Sequence, residues 1–286
     1  MKTIAIHSHK GGVGKTTLAL LLAKCASIDR RVCVLDYDFI GSGLANLFAL
    51  ETFPKSYLEQ YFTDAEPHQF QLAKLLASYK DRDMANRDFS VVLRQGKGLP
   101  KSQAAQRQQE SEIMTGLVAN EPHYHEIEKK TTILLSLLEK AGFALAVFDC
   151  HPGLGLVSET MIALADLNLY VTTLNRGDCF GLLKTINLKQ FDQPSAFLLV
   201  NKAEPAVGGL ETFRSAMQND GLVGMESTYL LEQFKFIGKD EKRFGLIPDS
   251  ETLRLVFQLG GKGQLPRVDA EAPSSGVCGK VLALLP

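Results

Sequence analysis

The 286-residue chain is 45% hydrophobic and carries 31 Lys and Arg against 32 Asp and Glu, a formal net charge of −1. That is apolar material for one large core, and the balanced charge excludes an overall field that would draw the molecule to nucleic acid or an anionic membrane, so any such contact has to come from a local patch. Its five cysteines, Cys25, Cys33, Cys150, Cys179 and Cys278, are odd in number and never spaced C-x-x-C, which argues against a disulfide framework and against a zinc or iron-sulfur site, and fits a reducing compartment.

The first element is a short β-rich run, Thr3 to His7, which meets a glycine cluster by His9 and leaves no room for a signal peptide. Thr16 to Ile28 follows with apolar residues all round, as in a helix packed against a sheet. Arg31 to Leu35 reads as the next strand, and Phe143 to Phe148, Asn168 to Thr173 and Ala196 to Val200 are further apolar runs of strand length. Helical patterns at Glu126 to Ala141, Val157 to Ala165 and Leu210 to Asn219 separate them. Unalternating strands spaced by amphipathic helices predict an α/β fold: a mostly parallel twisted sheet with helices on both faces, as one domain over residues 1–286.

Residues 52–121 are polar and interrupt this rhythm for longer than an ordinary loop does, which predicts an insertion after the second strand. Within it Arg94, Lys97, Lys101 and Arg107 stand without an acidic neighbour. A solvated segment is the plainer reading of them, and a contact with a partner or nucleic acid is the alternative. Towards the end, Glu271 to Gly276 reads as a link to a last helix at Val277 to Leu285. That helix is too short and too poor in cations for a membrane-surface anchor, so it is expected to dock on the core. No run approaches the roughly 18 apolar residues of a spanning helix. The expected location is the cytoplasm, with at most peripheral membrane contact.

His9-Lys10-Gly11-Gly12-Val13-Gly14-Lys15-Thr16-Thr17 lies between the first strand and the first helix, where backbone N–H groups and a helix N-terminus converge on an anion. Glycines let the chain curl closely around phosphate oxygens. Lys15 supplies charge to the β and γ phosphates, and the Thr16 hydroxyl suits magnesium. The plain pattern G-x-x-x-x-G-K-[ST] is broken, because His9 occupies its first glycine. Lys10 through Thr17 instead resembles the deviant Walker A signature of the ParA/MinD family of P-loop ATPases. The resemblance implies ATP and Mg2+ as cofactors, with Gly11, Gly12, Val13, Gly14, Lys15, Thr16 and Thr17 around the phosphates. It implies an ATP-dependent homodimer in which Lys10 reaches the partner's phosphates, acting as an arginine finger does.

The remaining candidates follow in family order. Val32 to Leu35 leads into Asp36 and Asp38 at a strand's C-terminal end, where ligands of open α/β sheets bind. Alone they read as turn or capping residues; by similarity to the family's Asp-x-Asp switch, Asp38 positions or activates the attacking water and Asp36 serves the magnesium shell. Leu145 to Phe148 ends in Asp149, as a Walker B aspartate would, and Cys150 to Gly155 resembles the second switch. His151 invites a general-base reading, set aside because carboxylates already serve the water and metal. Asn201 can offer a donor and an acceptor to a purine, and it resembles the family's base-contacting asparagine; Pro248 and Asp249 resemble the segment flanking the adenine. The catalytic set is thus Lys10, Lys15 and Asp38, with Thr16, Asp36 and Asp149 for the metal.

The implied function is a nucleotide switch that dimerises on ATP, hydrolyses it slowly under a partner's stimulus, and positions or partitions a cargo: DNA, something membrane-bound, or a protein complex. The activating or cargo protein is not identified by the residues. Lys239, Lys242 and Arg243 join the Arg94 to Arg107 stretch as candidate DNA contacts, with solvated faces the alternative. A related P-loop enzyme or metallocluster carrier is the second reading, disfavoured by the unpaired cysteines, and a module that binds ATP without hydrolysis the third.

Overall fold

The computed structural model describes residues 1–39, 44, 54–79, 89–94, 124–153, 156–175, 177–179, 181–182, 196–203, 244–248 and 273–285. Its strands are β1 (Lys2–His7), β2 (Val32–Tyr37), β3 (Leu76–Tyr79), β4 (Phe89–Val92), β5 (Leu145–Cys150), β6 (Leu167–Thr172), β7 (Ala196–Ala203) and β8 (Phe244–Pro248). They form one sheet in the order β3-β4-β2-β5-β1-β6-β7-β8, parallel throughout except where β3 meets β4. The described helices are α1 (Lys15–Ala26), α2 (Leu58–Thr63), α3 (Leu72–Leu75), α4 (Tyr124–Lys140), α5 (Leu156–Leu164) and α6 (Pro273–Ala283).

Each central strand is buried along its length because both its faces are covered, which is why its sequence shows no polar alternation. On β1, Ile4 and Ile6 face one layer, with α1 and α6, while Ala5 faces the other, with α2, α4 and α5. Helix α1 carries Leu18, Leu20, Leu21 and Leu22 into the first layer. Truncating one of these to alanine removes its transfer energy and leaves a cavity, at a cost of about 2–5 kcal/mol.

One expectation changes. The last helix begins at Pro273, inside the stretch read as a link; proline is pre-set for a first helical turn, where its missing N–H is not needed. Val277, Cys278 and Val281 bury against the core, so this helix is docked as expected. Within the expected insertion at 52–121, residues 54–79 and 89–94 supply α2, α3 and the strands β3 and β4, each four residues long, with β3 at the edge of the sheet. Residues 95–121, the helical pattern at 210–219, and Asp249, Lys239, Lys242 and Arg243 lie outside the described residues.

Candidate nucleotide site

Strand β1 sits between β5 and β6, where the strand order reverses, so its C-terminal loop opens into the crevice in which sheets of this kind bind ligands. Gly12 (φ 80°) and Gly14 (φ 98°) take the left-handed conformation that the tight loop demands. Gly14 precedes α1, whose first turn has no side-chain cap and no acidic residue, an arrangement that suits an anion.

Neighbouring strands hold the loop in shape. The Asn201 Nδ2 donates to the Val13 carbonyl at 2.7 Å, and the Lys202 Nζ donates to the Gly12 carbonyl at 2.9 Å. A Cβ on Gly14 would stand 2.3 Å from the Asn201 Nδ2, so the loop tolerates no side chain there. The Gly153 amide donates to the Ser8 carbonyl at 2.8 Å, and the Ser8 hydroxyl donates to the Lys10 carbonyl at 2.7 Å. Lys202, at φ 55°, occupies a strained left-handed conformation beside the irregularity between Asn201 and Ala203, where β7 pairs with β8. Pro248 lies opposite Ala203, bringing the two expected base-side segments to adjacent strand ends.

Lys15 is buried, and that burial lowers its pKa against the raising effects of Asp149, Asp38 and Cys150. Asp36 and Asp149 are register partners on β2 and β5, both fully buried. Burial pushes Asp149 up to about 6, with the Thr16 hydroxyl and the Lys15 ammonium pulling it down. Asp36 rises well above the usual carboxylate range, first through burial and then through the charge of Asp149. Both Asp149 oxygens and the Asp36 Oδ2 are buried without a hydrogen-bond partner among the described residues. Orphaned carboxylate oxygens beside a threonine hydroxyl suit a hard, oxygen-seeking cation, and Mg2+ fits that donor set.

Asp38 is the first residue beyond β2. Its amide donates to the Asp36 Oδ1 at 3.3 Å, its carbonyl accepts from the Arg94 Nη1, and its Oδ1 lies 3.2 Å from the His151 Nδ1. The Arg94 guanidinium is paired with Glu59 at 2.9 Å, with side chains 11% and 3% exposed. One of the expected solvated cations is thus an interior support of the site. Lys10 is half-exposed, and its Nζ pairs with the Asp178 Oδ1 at 3.3 Å. Lys202 and Asp178 carry no motif that marks them as part of the site, and Arg94 stood only among cations read as solvated or partner-contacting.

His9, which breaks the ordinary motif, lays its ring against the backbone of Gly181, where a Cβ would stand 1.9 Å from the ring's Cδ2. His7, buried one strand residue before the loop, pairs its Nε2 with the Asn168 Oδ1 at 2.9 Å and stacks on Tyr170. Burial lowers its pKa to about 4, and its Nδ1 has no hydrogen-bond partner among the described residues.

Residues 1–94 match the ParA family model, described as a NUBPL iron-transfer P-loop NTPase. No curated protein matches significantly. Among solved structures, MinD in the MinC:MinD cell division complex of Aquifex aeolicus is 18% identical over 99% of this chain and 95% of its own, with a TM-score of 0.61. McdA of Cyanothece, solved as a complex with ATP, is 21% identical over 98% and 96%, at 0.57. The septum site-determining protein MinD of Pyrococcus horikoshii, solved with Mg-ADP, is 14% identical over 98% and 93%, at 0.57. The resemblance to the ParA/MinD family is borne out: the family's model matches the phosphate-loop third of the chain, and the fold of the MinD and McdA structures runs through its whole length.

Proposed function

We propose that the chain is an ATP-binding and ATP-hydrolysing switch that dimerises on ATP to position a cargo. The carrying observation is the pairing of a buried Lys15 inside the loop with a half-exposed Lys10 at its rim, held by Asp178. The loop amides and Lys15 bind the β and γ phosphates, and Asp38 orients the attacking water. Thr16 and Asp149 hold Mg2+, with Asp36 behind them, and the ion when bound neutralises phosphate charge. Lys10, supplied by a second copy, adds positive charge where the transition state accumulates negative charge. The ATP and Mg-ADP complexes of McdA and MinD support the cofactor assignment, and MinD's septum site-determining role supports a positioning cargo.

The iron-transfer description of the matching model favours a cluster carrier as second reading. Against it, among the described residues no three His, Cys, Asp or Glu side chains gather as a metal site, and four of the five cysteines are buried singly. Light scattering with ATP, with ADP and without nucleotide, beside phosphate release, tests the proposal. ATP alone should give the dimer, Lys10→Ala should lose it and its hydrolysis, and Asp38→Ala should trap it. A chain monomeric with ATP that hydrolyses it equally well as Lys10→Ala sinks the trans-lysine mechanism.

A further inference from the structure

The register Tyr37↔Cys150 ends the pairing of β2 with β5. One residue further on each strand stand Asp38 and His151, so the sheet itself sets these two side chains next to each other. Asp38 has its amide fixed by Asp36 and its carbonyl by Arg94, which is in turn held by Glu59 and lies over the Phe39 ring at 5.4 Å. Those two contacts fix the main chain only. The carboxylate turns about two further bonds, and in a near-attack geometry a misplacement of about 1 Å costs on the order of a hundredfold in rate. A contact made directly to the carboxylate is His151 Nδ1 to Asp38 Oδ1, at 3.2 Å, with both side chains mostly shielded from water (22% and 14% exposed).

We infer that His151 is a positioning residue, which donates its Nδ1–H to Asp38 and aims that carboxylate at the attacking water. This rests on the ATPase reading and deepens it. His151 abstracts no proton from the reactants; its task is orientation, and any side chain with an N–H at the same place performs it. Asparagine puts its Nδ2 close to where Nδ1 stands, whereas glutamine carries its amide one bond further out, closer to the Nε2 position. The identity of the atom is therefore testable.

Steady-state phosphate release with ATP is measured for the wild type, His151→Ala, His151→Asn, His151→Gln and Asp38→Ala, with nucleotide binding and thermal melting as checks on folding. His151→Ala should lower kcat about tenfold to a hundredfold while KM for ATP stays within about twofold. His151→Asn should recover most of kcat and His151→Gln should not. A double-mutant cycle with Asp38→Ala should be strongly non-additive, because once Asp38 is gone His151 has nothing to aim. If Asp38→Ala is inactive while His151→Ala turns over at the wild-type kcat, or if glutamine rescues as well as asparagine, the inference is overturned and the ATPase reading stands. A wild-type chain that releases no phosphate overturns both. Should His151→Ala not fold, the Asn and Gln pair decides alone.

Discussion

Asp149 pairs in register with Asp36 deep in the sheet, and its oxygens have no hydrogen-bond partner among the described residues. Its folded pKa, about 6, exceeds the usual 3.8, so the folded state holds the extra proton between those values. The stability this confers is present at low pH and is lost as pH rises through 6, which leaves the chain at pH 7 weakened by up to about 3 kcal/mol. Asp149→Asn should therefore melt higher than the wild type in metal-free buffer at pH 7.5, while losing both hydrolysis and the stabilisation by Mg2+. His7 acts in the opposite sense. Its folded pKa of about 4 lies below the ordinary 6.5, so its stability is complete above 6.5 and is lost as pH falls towards 4. His7→Gln, which keeps a donor for Asn168, should remove that acid loss; urea melts between pH 4 and 7 check it, and an unchanged pH profile contradicts it. The loop lysines were legible from their spacing about the glycines, and the strand-end aspartates only through the family resemblance, since alone they read as turn or capping residues. Arg94 was not, since its burial depends on Glu59, which α2 delivers from 35 positions earlier. Asp178 and Lys202 meet the loop only through the reach of their side chains.

At the scale of elements, the loop at Ser8 to Gly14 and the helical residues 177–179 and 181–182 are fitted to each other through His9 and Gly181. Gly181→Ala should drive a Cβ into the His9 ring, destabilise the chain by about 1–3 kcal/mol as overpacking does, and weaken ATP binding. His9→Gly, which restores the ordinary first glycine of the motif, should relieve the clash in the double variant. Calorimetric titration with ATP measures this, and additive losses in the double variant contradict the fit. The long apolar strands were readable because burial on both faces forbids polar alternation. The strands β3 and β4 were not, being four residues long with serine or tyrosine among them. The start of α6 was hidden because Pro-Ser-Ser-Gly carries the composition of a link, and only its docking on β8 and α1 makes it helix.

For the whole molecule, the order of strands places the candidate site at one point of reversal and supplies its parts from both sides: β2 and β5 bring the aspartates, β7 brings Asn201 and Lys202. Among the described residues no helix is long and apolar enough to cross a membrane. The network that holds the phosphate loop also governs how fast a nucleotide arrives. Four bonds from Asn201, Lys202, Gly153 and Ser8 fix its carbonyls before any phosphate contributes, so little ordering remains for the binding step. Capture of a fluorescent ATP analogue in stopped flow should then be a single phase whose rate climbs in proportion to nucleotide concentration. A rate that levels off would mean that the loop must first rearrange. Lys202→Ala, with one tie cut, is the variant in which such a ceiling should first appear.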